Sequence, residues 1–156
     1  MLTIGDTVAD FTLSDQHGNP VGWSSLRGCP VAVFFYPKAD TPGCTKEACA
    51  FRDLRAEFDA AGATVLGVSA DPPKRQASFD AKYGLGMTLL ADPDHVVLDP
   101  WGIIGDKKMR GRAYRGIVRT TVLFDADGRV AQVWSPVKVD GHADAVLARV
   151  RELSRA

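Results

Sequence analysis

The sequence predicts an α/β fold: a central mixed sheet flanked by helices, with a β-hairpin at its N-terminal end. Three observations predict it. Two runs, 31–36 and 64–69, are almost continuously apolar, the pattern of strands buried on both faces. Helical patterns with apolar stripes alternate with these strands along the chain. Near the C-terminus, Asp125-Ala126-Asp127-Gly128 stands between two β-rich runs, 120–124 and 129–134, and reads as a hairpin turn.

In chain order, Phe11-Thr12-Leu13 alternates as a short strand, Asp15-Gln16-His17-Gly18-Asn19-Pro20 is turn chemistry, and Val21 begins the return strand. The run 31–36 is the first buried strand. Thr41 then reads as an N-cap, with Pro42 at the first helical position. Ala48, Phe51, Leu54, Phe58 and Ala61 recur at three- and four-residue steps, which predicts one helix stopping at Ala61-Gly62. The run 64–69 is the second central strand, Asp71-Pro72-Pro73 opens a helix reaching about Tyr83, and Thr88-Leu89-Leu90 is a short strand. Residues 96–101 read as a short helix. Residues 105–115 hold Lys107, Lys108, Arg110, Arg112 and Arg115 and read as a solvated loop. After the hairpin, 141–153 forms a closing helix. No repeat, linker or low-complexity segment interrupts this order, so residues 1–156 are expected to form one domain, large enough for a real core.

Bulk composition narrows the function. Lys plus Arg equals Asp plus Glu, 19 each, so no net field draws nucleic acid or an anionic membrane surface. Three cysteines are too few for a secreted disulfide scaffold. The start, Met1-Leu2-Thr3-Ile4-Gly5-Asp6, lacks the basic and apolar regions of a signal peptide, and no segment approaches the ~20 apolar residues of a membrane span. A reducing cytoplasm is the expected setting, where a disulfide is catalytic rather than structural.

The most informative residues are Cys44 and Cys49, in Pro37-Lys38-Ala39-Asp40-Thr41-Pro42-Gly43-Cys44-Thr45-Lys46-Glu47-Ala48-Cys49. Cys44 falls in the first helical turn, where N–H groups lack partners and the helix dipole favours negative charge. A thiol there ionises readily and is expected to be reachable, and the thiolate is the reactive form. Cys44 lies four residues before Ala48, on the apolar face. Cys49 lies about 140° further round. In an intact helix, Cα atoms five residues apart are about 8.6 Å apart. A disulfide tolerates no more than ~7 Å, so a Cys44–Cys49 bond requires the first turns to unwind. Two states are expected, a helical dithiol and a locally melted disulfide.

These residues resemble the peroxiredoxin family. Pro37-x-x-x-Thr41-x-x-Cys44 matches its active-site pattern, and the longer Tyr36–Cys49 stretch is similar to the peroxiredoxin Q group, also called bacterioferritin comigratory protein. The resemblance continues in Phe51-Arg52-Asp53, in Gly67-Val68-Ser69 and in Gly116-Ile117-Val118-Arg119-Thr120-Thr121-Val122-Leu123-Phe124-Asp125, and covers nearly the whole chain. It implies a thioredoxin-like fold and a thiol-dependent peroxidase acting on hydrogen peroxide and organic hydroperoxides. By the same resemblance, Cys44 is the peroxidatic nucleophile, Thr41 holds peroxide and thiol by a hydrogen bond, and Pro37 shapes the loop and shields the sulfur. Arg119 would set a permanent charge beside Cys44, and Cys49 would resolve the sulfenic acid as a disulfide. A thioredoxin or glutaredoxin-like dithiol protein is the implied reductant, with a monomeric enzyme and no cofactor, and the basic run 105–115 resembles a family segment near the active site, which extends to it a role in docking that reductant.

Other residues carry less. Cys29 reads as a small buried filler. Glu47, one turn after Cys44, either tunes it or is an acid favoured by the helix dipole. His17, His95 and His142 have no ligand spacing to the cysteines, so no metal is expected. A disulfide oxidoreductase would need the absent Cys-x-x-Cys. A redox sensor, whose helix melts on oxidation, would use the same residues and stays open as an additional role.

Overall fold

A computed structural model describes residues 1–154; positions 155 and 156, at the end of the expected domain, lie outside the described residues. The core is a seven-stranded mixed sheet. Its strands are β1 (Thr12–Asp15), β2 (Pro20–Gly22), β3 (Val31–Phe35), β4 (Thr64–Ser69), β5 (Thr88–Ala91), β8 (Thr120–Phe124) and β9 (Val130–Trp134), in the order β2-β1-β5-β4-β3-β8-β9. The three central strands β3, β4 and β5 run parallel, while β8, β9, β1 and β2 add on antiparallel at the two sides. The expected N-terminal hairpin is β1–β2, with Leu13 opposite Val21.

Period-two alternation in β3 sorts the core into two layers. Ala32, Phe34 and Tyr36 face one side, where they meet buried residues of helices α1 (Pro42–Asp53), α2 (Arg55–Ala60), α3 (Pro73–Tyr83) and α4 (His142–Ser154). Val31, Val33 and Phe35 face the other side, beneath Trp23, Trp101 and Ile103. Here Trp101 stands edge-on to Trp23, with ring centroids 6.3 Å apart. Gly67 in β4 sits in a close-packed part of the sheet: a Cβ there would lie 2.8 Å from Leu89 and 2.9 Å from Phe34, so a larger residue would have to displace those side chains.

Three local expectations are corrected. The helix expected to run unbroken to Ala61 is interrupted at Leu54 (φ −100°, ψ 10°). No Pro or Gly marks the break. Arg52 and Arg55, on either side of it, donate to the carbonyls of Tyr83 and Gly86 on the α3–β5 connection. The short helix expected over 96–101 is a series of turns. The buried Asp92 carboxylate accepts the N–H groups of Val96, Val97 and Leu98, and Pro100 and left-handed Gly102 stop any further winding.

The stretch 105–115, expected as a loop, is paired. In place of a loop there is a separate two-stranded hairpin, β6 (Ile104–Met109) with β7 (Arg112–Ile117). Its two-residue turn, Arg110-Gly111, has both φ values positive, the geometry that matches strand twist. Because most of the hairpin is exposed on both faces, it has no apolar alternation to betray it.

Candidate active site

Tyr36 ends the apolar run on which β3 lies, and the chain then turns through 37–41 into α1. Thr41 has the extended backbone of an N-cap, and its carbonyl accepts the Thr45 N–H at 2.8 Å. Its hydroxyl makes no cap bond. It donates instead to the Lys38 carbonyl at 2.7 Å, folding the loop upon itself. Two further ties fix the loop. The Ala39 N–H donates to Asp71 at 2.8 Å, and Asp71 also accepts from Ser69 at 2.7 Å. Asp40, in the left-handed region at φ 60°, accepts from the Tyr83 hydroxyl at 2.6 Å and from Lys82 at 2.9 Å. A non-glycine residue there is strained, so these α3 contacts hold a conformation the backbone alone disfavours.

Cys44 follows in the first turn of α1, as expected, but it is not openly reachable. It is 1% exposed and packs in the core layer with Ala48 and Phe51, because it lies on the helix's apolar face. Cys49 is half-buried, and all three cysteines are free thiols. The intact α1 is the helical dithiol state; Pro37, half-buried, lies in the loop seven residues before Cys44.

The distant partner is Arg119, between β7 and β8. Its Nη2 donates to Cys44 Sγ at 3.5 Å and its Nη1 to Glu47 Oε1 at 2.8 Å. Gly43 makes room for it, since a Cβ there would stand 3.0 Å from Nη2. Burial opposes the Arg119 charge, but Cys44 and Glu47 outweigh it and hold its pKa above the ordinary value. Among the nominated residues, the fold thus gathers Cys44 and Arg119 in direct contact, with Thr41 three residues before the sulfur and Cys49 further along the same helix.

Glu47, whose place beside Cys44 has two readings in the sequence, faces Arg119 in the structure. It is 1% exposed, and its Oε2 has no hydrogen-bond partner. Burial raises its pKa to about 7, against the pull of Arg119. The signal was present only as an acid one turn from Cys44; its partner is 72 residues away. His142, at the start of α4, was set aside as a ligand. Its Nε2 shares a 2.7 Å hydrogen bond with Thr121, its ring stands edge-on to Phe51 and Trp134, and burial, helped by Arg119, lowers its pKa to about 4. Beneath the site, buried Tyr36 donates to Gln76, which in turn donates to the Leu90 carbonyl at 2.9 Å. Among the described residues, no group of three His, Cys, Asp or Glu side chains is placed to hold a metal ion, and no helix is long and apolar enough to cross a membrane.

A buried first-turn cysteine against a half-buried arginine, on a mixed sheet of this topology, defines a thiol-centred redox protein. The comparisons with known proteins make this particular. The AhpC/TSA family model matches residues 4–133. A putative peroxiredoxin bcp of Coxiella burnetii is 45% identical over 149 residues, 96% of this chain and 99% of that protein. Peroxiredoxin Bcp of Escherichia coli is 43% identical over 151 residues, covering 97% of each. Among solved structures, peroxiredoxin Q of Xanthomonas campestris superposes with TM-score 0.88 at 41% identity, covering 92% of this chain and 91% of that one. The chain belongs to the AhpC/TSA family and has the thioredoxin-like fold of its peroxiredoxins. Its relatives support a thiol-dependent peroxidase activity, with a peroxide as substrate and a reductant to regenerate the enzyme.

Proposed function

We propose that the chain is an atypical two-cysteine peroxidase that reduces hydrogen peroxide and organic hydroperoxides through Cys44. A structural relative, the bacterioferritin comigratory protein of Xanthomonas campestris, is described by its alkyl peroxide reduction activity and is 38% identical. The Cys44 thiolate attacks one peroxide oxygen. The O–O bond breaks, Cys44 becomes a sulfenic acid, and the other oxygen leaves as water or an alcohol. The observation that carries this reading is the Arg119 guanidinium at 3.5 Å from Cys44 Sγ. It offers positive charge to the thiolate and to the departing oxygen, aided by the free N–H groups of the first turn. Thr41 aligns the peroxide, and Pro37 keeps water from the sulfur.

Cys49 then attacks the sulfenic sulfur, expelling water and forming the Cys44–Cys49 disulfide once α1 has unwound. A thioredoxin or glutaredoxin-like protein reverses this. Its thiolate attacks the disulfide, its second thiol displaces the mixed disulfide, and it leaves oxidised while both cysteines return as thiols. The enzyme is read as one domain over 1–156, a monomer working in the cytoplasm. The test is intact mass after one equivalent of hydrogen peroxide. Wild type should lose about 2 Da through disulfide formation. Cys49→Ser should gain about 16 Da as a trapped sulfenic acid. Sulfenic acid accumulating in wild type, or a Cys29–Cys44 bond, overturns the resolving role; no reaction in either protein overturns the peroxidase reading.

A further inference from the structure

Among the described residues, two buried side-chain polar atoms lack a hydrogen-bond partner, Thr45 Oγ1 and Glu47 Oε2. Both lie between Cys44 and Cys49, in the stretch of α1 that a bond between those cysteines must unwind. A buried oxygen without a donor is more stable in water, so both atoms favour the opened form of this stretch.

Glu47 adds charge to the same stretch. Its carboxyl is 1% exposed, and Arg119, from the connection between β7 and β8, donates to Oε1 at 2.8 Å. The same guanidinium donates to Cys44 Sγ at 3.5 Å. One cation thus faces two acids, and with Cys44 as the attacking thiolate it neutralises only that one. Oε2, with no donor, is the place for a proton. Burial raises the Glu47 pKa from 4.5 to about 7, against the pull of Arg119. Other titratable groups surround this pair. His142 on α4 is neutral above its lowered pKa of about 4, and Tyr36, at the end of β3, is held protonated by burial. Lys46 and Asp140 form an exposed ion pair between α1 and the segment before α4.

Unwinding takes Glu47 away from Arg119 into water, where a carboxyl has its ordinary pKa. We propose that Glu47 is the proton store of the oxidative half-reaction: protonated in the intact helix, it ionises as the Cys44–Cys49 disulfide forms. The inference rests on the two-cysteine cycle given above and adds a residue to its resolving step, one that acts through the opening of α1 and not by touching the sulfurs.

The protons balance. Attack of the thiolate on ROOH gives the Cys44 sulfenic acid and an alkoxide, which takes one proton and leaves as ROH. Cys49 then attacks the sulfenic sulfur, the S–O bond breaks, and the hydroxide leaves as water with the Cys49 proton. From one thiolate and one thiol, the two steps consume a single proton, and Glu47 releases one. A dithiol reductant gives two electrons and two protons to the disulfide. One proton restores the Cys49 thiol and the other returns to Glu47, leaving Cys44 as thiolate. Because closure releases the Glu47 proton, rising pH favours the disulfide through the window from 4.5 to about 7.

The test counts protons. Reduced wild type and Glu47→Gln each receive one equivalent of hydrogen peroxide in weak buffer with a pH indicator, and mass analysis counts the disulfide. Gln mimics the protonated carboxyl, so the charge around Cys44 is kept, and His142 is common to both proteins. At about pH 6, Glu47→Gln should take up about one proton more per disulfide than wild type. At about pH 8.5, where wild-type Glu47 is already ionised, the two should agree. In equilibrium with glutathione, the wild-type disulfide should gain roughly 30-fold over that of the variant between about pH 5.5 and 8.5. If Glu47→Gln does not fold, carbon-13 NMR of wild type decides. The chain has three glutamates, and Glu57 and Glu152 are exposed references. The Glu47 carboxyl signal should titrate near 7 in the reduced protein and near 4.5 in the disulfide form. Equal proton uptake by the two proteins at pH ~6, or a Glu47 signal that titrates alike in both states, overturns the proton store and leaves the two-cysteine cycle standing. Wild type that forms no Cys44–Cys49 bond overturns both.

Discussion

Replacing Glu47 by Gln should expose a pH dependence of stability that wild type hides. Glu47 is buried, with pKa raised from 4.5 to about 7. Between those values the folded protein binds the proton more tightly than the unfolded chain. The contribution of Glu47 to stability is therefore complete below 4.5 and is lost as pH rises through 7. His142 has the opposite sign: its pKa falls from 6.5 to about 4, so its contribution is complete above 6.5 and is lost as pH falls through 4. Each group supplies a slope of about 1.4 kcal/mol per pH unit, one proton's worth. From about pH 4.5 to 6.5 the two slopes cancel. Glu47→Gln removes one of them. Gln keeps the volume and can still accept from Arg119, and any cost of burying its amide is independent of pH. The variant's stability should then rise by about 3 kcal/mol between pH 4.5 and 6.5, relative to wild type, and His142→Gln should show the reverse slope. The assay is urea unfolding of the reduced proteins at half-unit pH steps, followed by Trp134, which packs on His142. A Glu47→Gln curve parallel to wild type would refute the reasoning, for Glu47 would then be ionised throughout and its partnerless Oε2 solvated.

Two further predictions concern the chemistry. Arg119→Met should slow the reaction of reduced enzyme with hydrogen peroxide by roughly 100-fold, the scale of losing one charged donor at a reacting centre. Stopped-flow fluorescence of the single oxidation step measures it, and a loss under threefold would remove Arg119 from the mechanism. Tyr83→Phe deletes the 2.6 Å donor to strained Asp40 and loosens the clamp on the loop before α1. With about 1 kcal/mol less holding that loop, unwinding and Cys44–Cys49 closure should speed up about fivefold. Rapid acid quench and mass analysis follow the disulfide, and an unchanged closure rate would separate this clamp from unwinding.

What the sequence determined by itself is whatever depends on near neighbours. The apolar runs that became β3 and β4, the Thr41-Pro42 start of α1, the Cys44 position in its first turn and the Asp125–Gly128 turn are each written within a dozen residues. Short-range sterics, capping and period settle such features before distant parts of the chain meet. Even the need to unwind α1 for a Cys44–Cys49 bond follows from helix geometry alone.

Other features needed the tertiary structure. The interruption at Leu54 carries no breaker residue, and the ties on either side of it reach the α3–β5 connection. The β6–β7 pairing lacks apolar alternation because solvent lies on both sides of most of it. The burial of Cys44, and the choice of Glu47 over solvent as a partner for Arg119, arose only when β8 paired with β3 beside the start of α1. A charge in a sequence has no environment, and a cysteine has no depth. Both are set by desolvation and by contacts spanning more than 70 residues, which exist only once the chain has closed around them.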